Sequence, residues 1–132
     1  MNKKHLLTIL CAIFFVIEIV SADDSDLYGC YVSDENTFKD KICLMTEGKY
    51  EQFYFDKNNV EIRFNNSTWR SYQTGDEQDK ETAIALKGFI RKFGIDDHYL
   101  TSEMDVWLKK GNDGKPFFTI SRQWEKRKYI KE

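Results

Sequence analysis

Histidine, proline and cysteine are scarce in this chain, and each scarcity removes a class of reading. The 132 residues hold two histidines, His5 and His98. His5 falls in the leader described below, so one histidine is left for the body of the protein. That excludes zinc sites built from several histidine ligands and leaves a serine nucleophile with His98 as its sole imidazole base. No Gly-x-Ser-x-Gly elbow, phosphate-cradling glycine loop or calcium-loop spacing occurs beside it. Asp96-Asp97-His98 therefore reads as a solvated loop, because geometry and not adjacency makes a triad. Proline occurs once, at Pro116, directly before a strand-like run where its missing N–H is tolerated. Of the three cysteines, Cys11 lies in the leader and the spacing of Cys30 and Cys43 is not that of a Cys-x-x-Cys redox motif. In an oxidising compartment the remaining pair reads as one disulfide. Closing a loop of about 14 residues contributes on the order of 3 kcal/mol.

A long apolar run is also missing. Met1-Asn2-Lys3-Lys4-His5 is a short basic start, and the apolar stretch from Leu6 to Val20 is interrupted by Thr8 and Glu18. A bilayer-spanning helix takes about 20 apolar residues, so this segment falls short. It ends on Val20-Ser21-Ala22, small residues of the kind a signal peptidase reads, followed by Asp23-Asp24. The expectation is a cleaved signal peptide over residues 1–22 and an exported product, periplasmic or extracellular, with no stable membrane anchor. Taking 22 residues from 132 leaves 110 for a single domain over residues 23–132.

An excess of positive charge is absent as well. Removing Lys3 and Lys4 from 20 basic residues and Glu18 from 22 acidic ones leaves 18 against 21. A phosphate-binding domain carries a clear basic surplus, so nucleic acid is not an expected partner. The charge is uneven, however, with eight basic and three acidic residues from Lys109 to Glu132. A basic final segment on an acidic body suits an acidic partner.

The chain does carry short aromatic and β-branched runs separated by turn residues. They are Leu27 to Ser33, Lys41 to Thr46, Lys49 to Asp56, Asn59 to Phe64, Thr68 to Gln73, Glu103 to Lys110, Phe117 to Arg122 and Trp124 to Lys131. The fold expected is mainly β, an antiparallel meander of about eight short strands closing into a small barrel or sandwich. A two-residue turn at Lys57-Asn58 would set Phe53, Phe55, Val60, Ile62 and Phe64 on one apolar face. A turn at Glu47-Gly48 would add Ile42 and Leu44 to it. Asn112-Asp113-Gly114 reads as another turn. Residues 80–94 fit either a short helix, with Ala83, Leu86, Ile90 and Phe93 at helical spacing, or a strand over Thr82 to Leu86 followed by one helical turn at Phe89 to Phe93.

Aromatic residues are the abundant class, and most belong to the core of so small a domain. Alternation along Glu103 to Lys110 puts Met104, Val106 and Leu108 on one side and Asp105, Trp107 and Lys109 on the other. An exposed Trp107 beside Lys109 and Lys110 is the candidate partner-binding site. Asn65-Asn66-Ser67 and Asn66-Ser67-Thr68 are overlapping glycosylation sequons, meaningful in a eukaryotic secretory pathway. No catalytic set, metal site or cofactor is expected.

Gly29-Cys30-Tyr31 on a first strand, followed by a meander ending in Tyr129-Ile130-Lys131, resembles the small lipocalin-like barrels of exported bacterial proteins. The lipocalin entry motif has Gly-x-Trp at the place of Gly29-Cys30-Tyr31. In size, compartment and charge the chain also resembles exported inhibitors of cell-wall enzymes and immunity proteins that neutralise toxins. Three functions follow as expectations. The first is a non-enzymatic protein that binds and blocks a toxin or cell-wall enzyme. The second, implied by the lipocalin resemblance, is a carrier of a small hydrophobic ligand. The third is a hydrolase using two converging carboxylates, of which the strand alternation yields no inward pair.

Overall fold

The computed structural model describes residues 24–35, 38–92, 98–121 and 126–132. Residues 1–22, expected to be a signal peptide, together with Phe93, Asp96-Asp97 and Trp124, lie outside the described residues. The strands are β1 (Gly29–Glu35), β2 (Phe38–Met45), β3 (Lys49–Phe55), β4 (Glu61–Thr74), β5 (Glu81–Lys87), β6 (Ile90–Lys92), β7 (His98–Leu100), β8 (Glu103–Trp107), β9 (Lys109–Lys110), β10 (Pro116–Ser121) and β11 (Lys126–Lys131).

Nine of them form one antiparallel sheet in the order β8-β5-β4-β3-β2-β1-β11-β10-β9, and β6 and β7 pair separately. The two ends of that order, β8 and β9, are separated in sequence by Leu108 alone. Up to this residue the segment pairs with β5, and beyond it Lys109 pairs with Phe117 of β10. Residues 103–110 thus act as one strand that changes partner, and eight strands run up and down around a nearly closed barrel. This is the expected mainly-β meander.

Hydrophobic alternation fills the interior. Tyr31, Ile42, Leu44, Tyr50, Ile84, Leu86, Val106 and Phe118 are all fully buried, and Met104 and Ile120 join them. Residues that face each other across the β1–β2 pair include Cys30 and Cys43, which form the disulfide. The β2–β3 connection turns at Thr46–Gly48 with Glu47 at φ 63° and Gly48 at φ 68°, as its sequence requires. Asn112-Asp113-Gly114 turns as well, with Gly111 N–H donating to Lys115 O and Gly114 at φ 80°.

Three expectations are corrected. Residues 80–94 hold no helix among the described residues: β5 covers 81–87 and β6 covers 90–92. Burial of Ala83, Ile84, Ala85 and Leu86 in succession identifies a strand covered on both sides, and Gly88, at φ 60°, ends it. Asn59 to Phe64 and Thr68 to Gln73 are parts of one 14-residue strand, β4. The register of the β3–β4 hairpin also differs, because the turn runs through residues 56–60, where Asp56 caps Asn58 N–H and Val60 N–H with its Oδ1. Phe53 therefore faces Arg63, Tyr54 faces Ile62 and Phe55 faces Glu61, and Phe64 is skipped between Arg63 and Asn65 as a β-bulge. The expected apolar face dissolves. Phe53 and Phe55 lie outside under the ammonium groups of Lys41 and Lys39, at 5.0 and 4.5 Å from the ring centres. Tyr50 and Gln52 take the inner positions of β3.

The two ends of the barrel close differently. At the end where β1 begins, Leu27 is buried and accepts the Tyr31 hydroxyl at its carbonyl, 3.0 Å. Trp69 is buried there too, its indole N–H on Met45 O and its ring edge-on to Tyr28. At the opposite end the chain just after β5 inserts Phe89, which is 2% exposed, into the interior. Gln52 holds Ile90 at both its N–H and its C=O, while Asn65 Nδ2 donates to Gln52 Oε1 at 2.6 Å and to Gly88 O at 2.9 Å. Beside them Asp40 receives Arg127 Nη1 at 3.2 Å and the Tyr129 hydroxyl at 2.8 Å, all three residues being buried.

Candidate functional site

Bulky side chains fill the interior. A partly open pocket bordered by Asp40, Phe89, Ile90, Arg127 and Tyr129 has a volume of about 10 Å³. That is room for one water, whereas pockets for drug-sized ligands are typically about 300–1,000 Å³. Among the described residues no group of three or more His, Cys, Asp or Glu side chains is placed to hold a metal ion.

The outer surface carries more. The outward positions of β4, β5 and β8 line up in rows: Tyr72, Ala83 and Trp107 form one, Arg70, Ala85 and Asp105 the next. Two alanines on the central strand keep its outward side low, and the flanking side chains cover them, leaving Ala83 at 0% and Ala85 at 2% exposure. Trp107 remains 41% exposed, an unusual state for an indole in a small domain. As alternation requires, Met104 and Val106 point inward on the same strand, with Leu108 packed against the core. Arg70 lies 5.1 Å from the Tyr72 ring centre and 3.3 Å from Glu103 Oε1. A shallow groove of about 280 Å³ runs past Arg70, Ala85, Lys87 and Glu103. Burial raises the Tyr72 phenol first, and the neighbouring Asp105 carboxylate raises it further, so it stays a neutral hydrogen-bond donor at physiological pH.

Lys109 shares the outward side of Trp107 and reaches Glu81 Oε1 at 2.6 Å. Its partner across the sheet is Phe117, which faces Ile130, which in turn faces Val32. Ile130 is 39% exposed, and Lys128 stands over the Phe117 ring at 4.2 Å. Lys110 is exposed as well, but alternation carries it to the other side of the short β9, opposite Pro116. The structure therefore brings Trp107 and Lys109 onto one face and separates Lys110 from them. Sequence reasoning missed Phe117, Lys128 and Ile130. Their signal was legible in the alternation of Lys126 to Lys131, in which Lys128 and Ile130 share a side.

His98 lies on β7, and the Asp96-Asp97 portion of the candidate loop falls outside the described residues. No helix among the described residues is long and apolar enough to cross a membrane, and a disulfide fits an oxidising compartment. Comparison with protein families, with characterised proteins and with solved structures finds no match to this chain.

Proposed function

We propose that this chain is a non-enzymatic exported protein, periplasmic or secreted after loss of residues 1–22, that binds and blocks another protein in the manner of an inhibitor or immunity protein. The single observation that carries this reading is the outward face from Trp107 through Lys109 and Phe117 to Lys128 and Ile130. Two large apolar side chains stand about 40% exposed there, rimmed by basic residues on rigid strands. An exposed tryptophan supplies a large contact area with little entropy left to lose, and aromatic anchors with cationic neighbours dominate the energetics of protein interfaces. The basic surplus of residues 109–132 makes an acidic partner surface the complementary one. A toxin or cell-wall enzyme with an acidic cleft has that chemistry. The lipocalin-like carrier reading draws no support from the pocket at the Asp40 end, whose volume of about 10 Å³ is too small for an apolar ligand.

The test is affinity capture with oxidised protein 23–132 from envelope and secreted fractions, followed by an activity assay of whatever is bound. One partner at equal stoichiometry, inhibited by the wild-type protein and released by Trp107→Ala, is the expected result. Recovery of lipid or a small molecule without protein would abandon the blocking role.

A further inference from the structure

Residues 65–68 read Asn-Asn-Ser-Thr, so the chain offers two overlapping sequons and the sequence alone does not choose between them. The structure chooses. Plain alternation from Ile62 inward would put Phe64 and Asn66 inside and Asn65 outside. The bulge at Phe64 reverses this, since Gln52 pairs with Asn65 while Phe53 pairs with Arg63. Asn65 accordingly turns inward, and its Nδ2 gives both hydrogens away, one to Gln52 Oε1 at 2.6 Å and one to Gly88 O at 2.9 Å. Asn66 faces Glu51 on the outer side, and both Asn66 and Thr68 are exposed. A shallow open groove of about 340 Å³ lies alongside, bordered by Lys49, Glu51, Asn66 and Thr68.

We infer that Asn66 is an N-glycan acceptor in a eukaryotic secretory pathway and that Asn65 is not. This rests on the reading of residues 1–22 as an export signal. The co-reactant is an oligosaccharide carried on a lipid pyrophosphate. Asn66 Nδ2 forms a C–N bond to its anomeric carbon, the anomeric C–O bond breaks, and the lipid pyrophosphate leaves with that electron pair. One amide proton passes to the transferase. The same nitrogen on Asn65 would lose one of the two hydrogens it gives to Gln52 and Gly88, and its sugar would be driven into the barrel end against Gly88. At Asn66 the sugar projects into solvent. With β8 and β9 counted as one, β4 lies four strands from β11 in either direction around the barrel. A glycan on Asn66 therefore stands across the molecule from Phe117 and Ile130 and leaves that face free.

The overlapping sequons supply their own controls. The full chain is expressed in a eukaryotic secretory cell line, and protein from the medium is treated with peptide-N-glycosidase in heavy-oxygen water and mapped by mass spectrometry. The expected result is one glycan, with the isotope-labelled aspartate at position 66. Thr68→Ala and Asn66→Gln abolish the mass shift, while Ser67→Ala, which destroys only the first sequon, retains it. Secreted, leader-free protein without a glycan overturns the inference and leaves the export reading standing. A shift retained in Thr68→Ala and lost in Ser67→Ala overturns it in favour of Asn65. Intracellular protein with the leader uncleaved and no glycan overturns the export reading and this inference together.

Discussion

The two ends of this barrel solve the same problem with opposite chemistry. At the end where β1 begins, the interior is closed by apolar side chains, Leu27 and Trp69, with the Tyr31 hydroxyl and the Trp69 N–H each donating to a backbone carbonyl. At the other end the closure is polar, built from Gln52 and Asn65 holding Gly88 and Ile90 and from Asp40, Arg127 and Tyr129 beside them. Burying an ion pair costs most of what its attraction returns, so the polar end gains little net stability from its charges. Its contribution is conditional: each member is tolerable only while the others are present. The apolar end depends on area and packing, which decline gradually as atoms are removed. One end is therefore brittle to single substitutions and the other graded.

The largest effect should come from breaking the polar end in half. Asp40→Ala removes the buried carboxylate that accepts from both Arg127 and Tyr129, and denaturant unfolding should show a loss of about 3–5 kcal/mol. Replacing both charges with apolar residues of similar volume, Asp40→Leu with Arg127→Met, should cost less than Asp40→Ala alone. A double variant as damaged as the sum of its singles would show that the two residues act independently and that this end is no different in kind from the other.

The disulfide joins a register pair of β1 and β2 near the end where β1 begins, away from the charged cluster. Cys30→Ala with Cys43→Ala should lower stability by about 3 kcal/mol, mainly by freeing the unfolded chain. The loss should be the same in the wild-type and Asp40→Ala backgrounds, measured by unfolding of all four forms. Departure from additivity would mean that the cross-link supports the charged cluster directly.

The contrast between the ends also explains what could be read in the sequence. Strand content, the turns at Glu47-Gly48 and Asn112-Asp113-Gly114, the inward set Met104 and Val106 and the cysteine pair all follow from alternation and turn chemistry, which are local. The polar end is illegible, because Asp40, Gln52, Asn65 and Arg127 look like solvent-facing residues until their partners, as many as 89 positions away, are known. The slip at Phe64 had the same cause. An apolar residue at a bulge looks like the next member of an inward series, whereas Phe53 and Phe55 face outward because the chain turns through residues 56–60 and sets Tyr54, not Phe53, opposite Ile62. At the candidate site Trp107 was readable from its own strand, while Phe117 and Ile130 joined it only through a pairing in which one strand changes partner at Leu108.

Alkaline titration compares the ends through a shared group. Burial pushes the Tyr31 phenol up to about 12, and burial followed by the Asp40 carboxylate raises Tyr129. Both are neutral when folded, and in the unfolded chain each ionises near its ordinary value of about 10. Between those values the native state binds more protons than the unfolded one, so stability falls as pH rises. The contribution of Tyr31 is complete below about pH 10 and is lost as pH climbs through about 12. Unfolding midpoints collected from pH 8 upward should decline steeply above pH 10, and Tyr31→Phe should flatten that decline by one proton. An unchanged slope in Tyr31→Phe would assign the decline to the other raised phenols, Tyr50, Tyr72 and Tyr129.

The smallest effect on stability should come from the outer face, and there the measurement separates fold from function. Trp107 stands across from Ala83 on strands fixed from the inside, so Trp107→Ala removes part of the outer cover of Ala83 and leaves the interior packing in place. Its cost should stay within about 0.5–1 kcal/mol, as for other surface positions. The same substitution should weaken capture of the partner at least tenfold, since truncating an interface anchor typically costs about 2 kcal/mol or more of binding. Lys110→Ala, on the other side of β9, should change affinity far less than Lys128→Ala at the Phe117 ring. The reverse ranking, measured by titration calorimetry against the captured partner, would move the contact surface from the sheet face to the turn at residues 111–115. A large stability loss in Trp107→Ala would make that tryptophan part of the packing and take away the observation on which the binding role rests.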